Sequence, residues 1–145
     1  IIKYMKNRVR AIIIQDSKIL LIKRVKPETV YWVIPGGGVE EGETPEVALQ
    51  RECLEELGVE VKVGSPVFNM DSKKTETIGQ KESFFLCLII DGTLGSGDGP
   101  EYQRDTSYVG QYIIEWVDIK SLLDYNLKPE EIKNFIYEKY SKLYE

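Results

Sequence analysis

Three glutamates, Glu52, Glu55 and Glu56, together with Arg51, are the residues of this chain whose types and spacing best suit chemistry, and they follow a run of three glycines, Gly36, Gly37 and Gly38. On a helix from about Pro45 to Leu57 the i, i+3, i+4 spacing of the acids confines them to one arc of roughly 100°. Exposed to water, like charges at this spacing cost only about 0.2–0.5 kcal/mol per pair, so an ordinary solvated helix face is physically acceptable. In a partly dry cleft with an effective dielectric near 20, each like-charge pair at about 6 Å would cost on the order of 2–3 kcal/mol, and a divalent cation would turn that repulsion into binding.

No other residue type competes for the role. The sequence has no histidine and two cysteines, Cys53 and Cys87, each inside an apolar segment. An imidazole base and the usual Cys/His zinc sites are therefore excluded, and acid-base or metal chemistry falls to carboxylates. Two cysteines are too few for a disulfide framework and are expected to be reduced core thiols.

The elements that would position the acids carry clear punctuation. Gly36, Gly37 and Gly38 after Pro35 suggest a loop whose bare backbone a ligand could approach. Thr44 is a good N-cap, Pro45 fits the first helical position, Glu46 favours the positive end of the helix dipole, and Gly58 supplies the stop. Val47, Leu49, Cys53, Leu54 and Leu57 fall on the arc opposite the acids and are expected to pack.

The full spacing, Gly37-x5-Glu43-x7-Arg51-Glu52-Cys53-x-Glu55-Glu56-x-Gly58-Val59, resembles position by position the box of the Nudix hydrolases. At roughly 7% usage per residue type, chance coincidence of its seven fixed residues in one register is on the order of 10⁻⁸. Cys53 stands where that family usually has an aliphatic residue, a change of packing and not of chemistry. The resemblance implies an α/β/α sandwich around a central mixed β-sheet, with residues 1–145 forming a single Nudix hydrolase domain. It implies substitution at phosphorus in a nucleoside diphosphate derivative, with Mg²⁺ as cofactor and Mn²⁺ able to replace it. In the roles it implies, Glu55 and Glu56 hold the metal, the Gly37 carbonyl adds a backbone ligand, and Glu52 binds metal or receives the proton of the attacking water. Arg51 would orient the acids and Glu43 would anchor the loop to the helix. A catalytically silent Nudix-fold regulator that binds a nucleotide is the alternative, although such a protein would be expected to have lost one of the three acids. An acidic protein-interaction domain is a remoter one.

The rest of the chain reads as strands and short helices. Val9 to Ile14 and Ile19 to Arg24 are β-rich around a turn at Gln15-Asp16-Ser17-Lys18, and Tyr31 to Ile34 is a short strand leading into the glycines. One of Tyr31 and Trp32 should be core and the other could border a pocket. Lys23, Arg24 and Lys26 form a basic cluster, either solubility charge or a phosphate contact. Val59 to Val63 alternates and should be half buried, with Val67 to Met70 continuing it, whereas Phe84 to Ile90 suits a strand buried on both faces. Tyr112 to Val117 is another strand. Asp118 could cap a turn through Leu123, and Lys128-Pro129 opens a last helix whose Ile132, Phe135, Ile136, Lys139, Tyr140 and Leu143 fit a 3.6 period.

A loop rich in glycine, Gly92 to Pro100, is a second candidate site. Glu101 and Asp105 beyond it, and Glu82 more weakly, are candidates for a further acid. Substrate choice is expected to rest with Tyr31, this loop and Glu101 to Asp105. The markers that the family carries for ADP-ribose or diadenosine polyphosphates are missing at residues 74–76, which leaves a nucleoside triphosphate, including an oxidised one, as the favoured substrate.

A chain of 145 residues can bury a real core, and 42% hydrophobic with 30% charged residues suits a soluble globular protein. Its net charge of -5 disfavours a stable nucleic-acid partner. No apolar run reaches membrane-spanning length, and Ile1-Ile2-Lys3-Tyr4 lacks the features of a secretory signal, so a cytoplasmic location with a small-molecule nucleotide as partner is expected. An exposed apolar edge could support a homodimer, but nothing in the sequence locates one.

Overall fold

The computed structural model describes residues 6–71, 79–97 and 110–144. Its organising element is a hairpin of two strands, β1 (Arg8–Gln15) and β2 (Lys18–Lys26). Asp16 and Ser17 between them take φ of 49° and 65°. Residues with a short polar side chain tolerate these left-handed values, and their twist suits a tight antiparallel turn.

The two strands pair only at Ile14 with Ile19 and at Gln15 with Lys18, and then part. β1 runs on between β4 (Gly36–Gly38), antiparallel, and β6 (Lys81–Gly92), parallel, with β5 (Val59–Asp71) antiparallel outside β6. β2 runs on between β3 (Thr29–Val33) and β7 (Gln111–Asp118), both antiparallel, and β8 (Leu127–Lys128) lies parallel to β3. The result is a mixed 8-stranded sheet that is split between β1 and β2 beyond their shared turn.

Alternation along those two strands supplies both halves of the core. Val9, Ala11, Ile13, Leu20 and Ile22 face Ala48, Leu49, Cys53 and Leu57 of helix α1 (Pro45–Leu57). Ile12, Ile19 and Leu21 face Ile132, Ile136 and Tyr140 of helix α2 (Glu130–Tyr140). Strands covered on both faces read as near-continuous apolar runs, which is what β1 and β2 show, and each fully buried Leu or Ile contributes about 1.5–3 kcal/mol. The architecture is the α/β/α sandwich with a mixed sheet that the sequence implied. Asp118 accepts a hydrogen bond from Lys120 N at 3.0 Å and caps a tight turn of helix, Ile119–Asp124, as expected. Among the described residues no helix is long and apolar enough to cross a membrane.

Four expectations need correcting. The glycine run is not a loop: Gly36–Gly38 pairs with Arg8, Val9 and Arg10 as a short strand. A Cβ at Gly36 would stand 2.0 Å from the Val9 carbonyl oxygen, so only glycine lets this segment lie so close to β1. β6 is not buried on both faces, because Leu88 and Ile90 are 61% and 57% exposed. Leu88 shares the face of Phe84 but lies past the part of β6 which the α2-side core covers, and Ile90 falls at a shift of the β5–β6 register. Val47 and Leu54 are exposed too, since the packed stripe of α1 is the narrower Ala48, Leu49, Cys53 and Leu57. Finally, Leu143 falls beyond α2 in a turn of tight helix and is exposed.

Candidate active site

Helix α1 is fixed at both ends as its sequence requires. Thr44 Oγ1 accepts from Val47 N at 3.2 Å, and Gly58, at φ 81°, donates to the carbonyls of Cys53 and Leu54. A Cβ at Gly58 would meet Ser96 Oγ at 2.3 Å, so glycine also lets residues 96 and 97 close over the helix end.

Arg51 is the hub of the acidic face. Its Nε and Nη2 donate to the two oxygens of Glu43 at 2.8 and 3.0 Å, and Nη2 also donates to the Gly38 carbonyl at 3.0 Å. Its Nη1 reaches Glu52 at 3.0 Å and Glu55 at 3.3 Å. Glu43 in turn accepts from the Glu40 amide at 2.9 Å, which closes the segment between β4 and α1. The Arg51 hydrogen bond holds the Glu43 carboxyl below the usual carboxylate range, and the same pairing makes the guanidinium still harder to deprotonate.

The carboxylates of α1 lie directly on β4. Glu56 accepts from the Gly36 amide at 3.2 Å. A Cβ at Gly37 would stand 2.4 Å from the Glu52 carboxyl carbon, so the acid occupies space that any other residue at 37 would fill. The Ala11 amide donates to the Pro35 carbonyl and the Val39 amide to the Asn7 carbonyl, both at 2.8 Å. In an antiparallel ladder this makes the intervening Val9 and Gly37 a hydrogen-bonded pair, so one lone pair of the Gly37 carbonyl is engaged and one remains. Among the described residues no group of three acids or cysteines is gathered closely enough to hold a metal ion as the side chains stand, because Glu52 and Glu55 turn to Arg51 and Glu56 to the Gly36 amide.

β1, the ladder partner of β4, adds two guanidinium groups. Arg10 pairs with Glu82 at 2.6 Å and donates to the Ile34 carbonyl at 3.0 Å. Glu82, one of the further acids considered, is thus tied to a guanidinium. Arg8 projects beside them, its pKa lowered chiefly by burial and then by Arg10, against the opposing pull of Glu82, Glu52 and Glu56. The split between β1 and β2 opens here into a cleft of about 1170 Å³ bordered by these groups.

At the other end of the cleft the chemistry changes sign. The Arg24 guanidinium lies 3.6 Å from the centre of the Tyr112 ring, and Lys26 and Lys128 approach the Tyr31 ring at 5.5 and 4.8 Å. Of Tyr31 and Trp32, it is Tyr31 that borders the cleft. Trp32 packs on the other face, edge-on to Tyr125 at 4.9 Å with its Nε1 donating to Glu115 at 3.1 Å. The basic cluster divides the same way: Arg24 and Lys26 line the cleft, and Lys23 sits over Trp32.

Glu101 and Asp105, and the loop from residue 98 onward, lie outside the described residues. Arg8, Arg10, Tyr112 and Lys128 escaped the sequence reading as site residues. They carry no local motif and reach the cleft only through strand register. Cys53 and Cys87 are buried, as expected, and burial pushes both thiols up, Cys87 to about 12.

Comparison with known proteins gives consistent relatives. Residues 5–138 match the model of the NUDIX domain. The nucleoside triphosphatase NudI of Enterobacter sp. (strain 638) is 34% identical over 125 residues, 79% of this chain and 84% of that one. The ADP-ribose pyrophosphatase of Methanocaldococcus jannaschii is 42% identical over 92 residues, 62% of this chain, and the match spans only 54% of its own length. Among solved structures the E. coli ORF135 protein superposes with a TM-score of 0.67 at 30% identity, over 96% of this chain and 90% of that one.

Proposed function

Because the chain belongs to the NUDIX family, we propose that it forms a single catalytic domain that uses a divalent cation, Mg²⁺ or Mn²⁺, to hydrolyse the phosphoanhydride of a nucleoside diphosphate derivative, with a nucleoside triphosphate the favoured substrate. One observation carries this reading. Arg51 ties Glu43, the Gly38 carbonyl, Glu52 and Glu55 into a single wall of the cleft, so the acids of the helix and the backbone of β4 face one space. NudI and the archaeal pyrophosphatase, by their names, act on substrates of this class.

The donor chemistry fits a hard divalent cation, since carboxylate and carbonyl oxygens are available and imidazole is not. Glu55 and Glu56 would hold the ion with the free lone pair of the Gly37 carbonyl, which requires them to turn from their present partners, and Glu52 would either join them or serve as the base. When bound, the ion neutralises charge on the diphosphate and lowers the pKa of a bound water. As base, Glu52 receives the proton of the attacking water while the water oxygen bonds to phosphorus and the anhydride P–O bond breaks. Arg51 keeps Glu52 and Glu55 beside β4 until an ion takes them, and it stays anchored to Glu43 and the Gly38 carbonyl when they turn.

The test is a screen of nucleoside diphosphate derivatives with Mg²⁺, read as release of phosphate and pyrophosphate, alongside calorimetric titration of Mn²⁺ alone. Glu55→Gln and Glu56→Gln are expected to keep the fold, weaken Mn²⁺ binding and reduce turnover by about 10² or more, the scale on which lost electrostatic stabilisation acts. Near-full activity of both variants on the best substrate would overturn the assignment.

A further inference from the structure

The cleft has two chemically distinct ends, and the hydrolase reading uses only one. Resting on that reading, we propose that Lys26 and Lys128, flanking Tyr31, form with Arg24 a second anion subsite, which takes a phosphate carried on the sugar of the nucleotide substrate.

Placement comes from register. Tyr31 is the cross-strand partner of Arg24, and Arg24 is the partner of Tyr112, so ring, guanidinium and ring form a row across β3, β2 and β7. Lys26, two residues on, projects from the same face of β2. Lys128 arrives from a remote part of the chain through β8, where it pairs with Val33. Two ammonium groups thus converge on one ring, at 5.5 and 4.8 Å from its centre.

Solubility alone does not explain this arrangement. Solvating charges disperse, whereas these cations gather about two rings that line one cleft. Lys26 and Lys128 line the cleft and make no ion pair among the described residues, and Glu130, which lines it beside Lys128, is paired with Lys133 at 3.2 Å. Ile22 and Val33 line the cleft between this cluster and the Gly36–Gly38 strand. An extended substrate would place its anhydride on the acidic wall, lie its nucleoside along the apolar stretch and present a second anion to the cations. A phosphate has the charge and acceptor oxygens to meet two ammonium groups and the fork of an arginine together.

Such a phosphate could be a 3′-monoester or the 3′-diester that begins an oligonucleotide. Calorimetry with Mg²⁺ present separates them, using the 3′,5′-bisphosphates of the four ribonucleosides, the matching 5′-monophosphates and 5′-phosphorylated dinucleotides. None of these ligands contains an anhydride, so the result is independent of the hydrolysis screen, and failure of one leaves the other readable. The expected result is that at least one bisphosphate binds about tenfold more tightly than its monophosphate, with a preference that shrinks as salt screens it. In Lys26→Gln/Lys128→Gln the preference should fall below about twofold while monophosphate affinity stays unchanged, the scale expected when charge-assisted contacts are removed. A dinucleotide that shares the preference assigns the site to a diester, and one that does not assigns it to a monoester. Equal affinity for every bisphosphate and its monophosphate, or a preference that survives in the double variant, overturns the proposal.

Discussion

Both oxygens of the Glu43 carboxylate are held by one guanidinium, Arg51 Nε at 2.8 Å and Nη2 at 3.0 Å. This bidentate pair sets the plane of the guanidinium and so aims its remaining donors at the Gly38 carbonyl, Glu52 and Glu55. The acid immediately before the N-cap of α1 therefore determines how the acids on α1 are presented.

Arg51→Lys should separate charge from geometry. An ammonium is a point charge and cannot span two carboxylate oxygens while also reaching a carbonyl and two further acids. The variant is expected to fold, by circular dichroism, and to lose about 10²-fold in kcat, the scale on which small misplacements act. Adding Glu43→Gln should cost little more, because both changes break the same bidentate pair. Full additivity in steady-state kinetics would mean that the two residues act separately.

Acid should weaken the fold through Glu43. Its folded carboxyl titrates below the ordinary value, because Arg51 donates to it and favours the charged form. Stabilisation from this pair is then complete above the ordinary carboxylate pKa, about 4.3, and is lost as pH falls through the lower folded value. Urea midpoints measured from pH 6 down to about pH 2.5 should decline on that limb, and Glu43→Gln should flatten the decline. An unchanged acid limb in the variant would show that other carboxylates dominate.

The thiols predict the opposite limb. Burial raises the folded pKa of Cys53 and of Cys87, the latter to about 12, whereas an unfolded thiol titrates near 8.5. Stability is thus fully present below about pH 8.5 and falls as pH rises beyond it, because the unfolded chain loses protons that the folded chain keeps. A thiol-specific reagent at pH 8 should leave both residues unlabelled in the native protein and label both in urea. Rapid native labelling of either would contradict their burial.

How far the sequence could be read depended on whether each feature was local. The caps of α1, the turn at Asp16 and Ser17, and the arc of Glu52, Glu55 and Glu56 follow from spacing within a few residues, and the structure has them where the spacing put them. The glycine run misled because its partner, β1, lies far away in the chain: three glycines suggest a loop until a neighbouring strand is there to pair with. Leu88 and Ile90 misled for a related reason, since an apolar run does not reveal where the covering helix stops. Arg10 pairing with Glu82, and Lys128 meeting Tyr31, depend wholly on register and left no trace in local pattern.

Adjacent glycines in β4 should respond to alanine in different ways. At Gly36, φ is 151° and an added Cβ would lie 2.0 Å from the Val9 carbonyl oxygen, which cannot yield without breaking the β4–β1 pairing. Gly36→Ala is expected to destabilise the protein by on the order of 3 kcal/mol or more, the range of backbone strain added to a steric clash. At Gly37 the added Cβ would meet the Glu52 carboxylate, the far end of a flexible side chain. Gly37→Ala should therefore keep a urea midpoint close to that of the parent, because Glu52 can turn aside, but its kcat should fall by about 10²-fold, since the acid can no longer rest against β4. Equilibrium unfolding and steady-state kinetics on the two variants would show the split. A fully active Gly37→Ala protein would mean that the seat of Glu52 on the glycine strand has no part in the reaction, and a stable Gly36→Ala protein would mean that β4 can leave β1 at little cost.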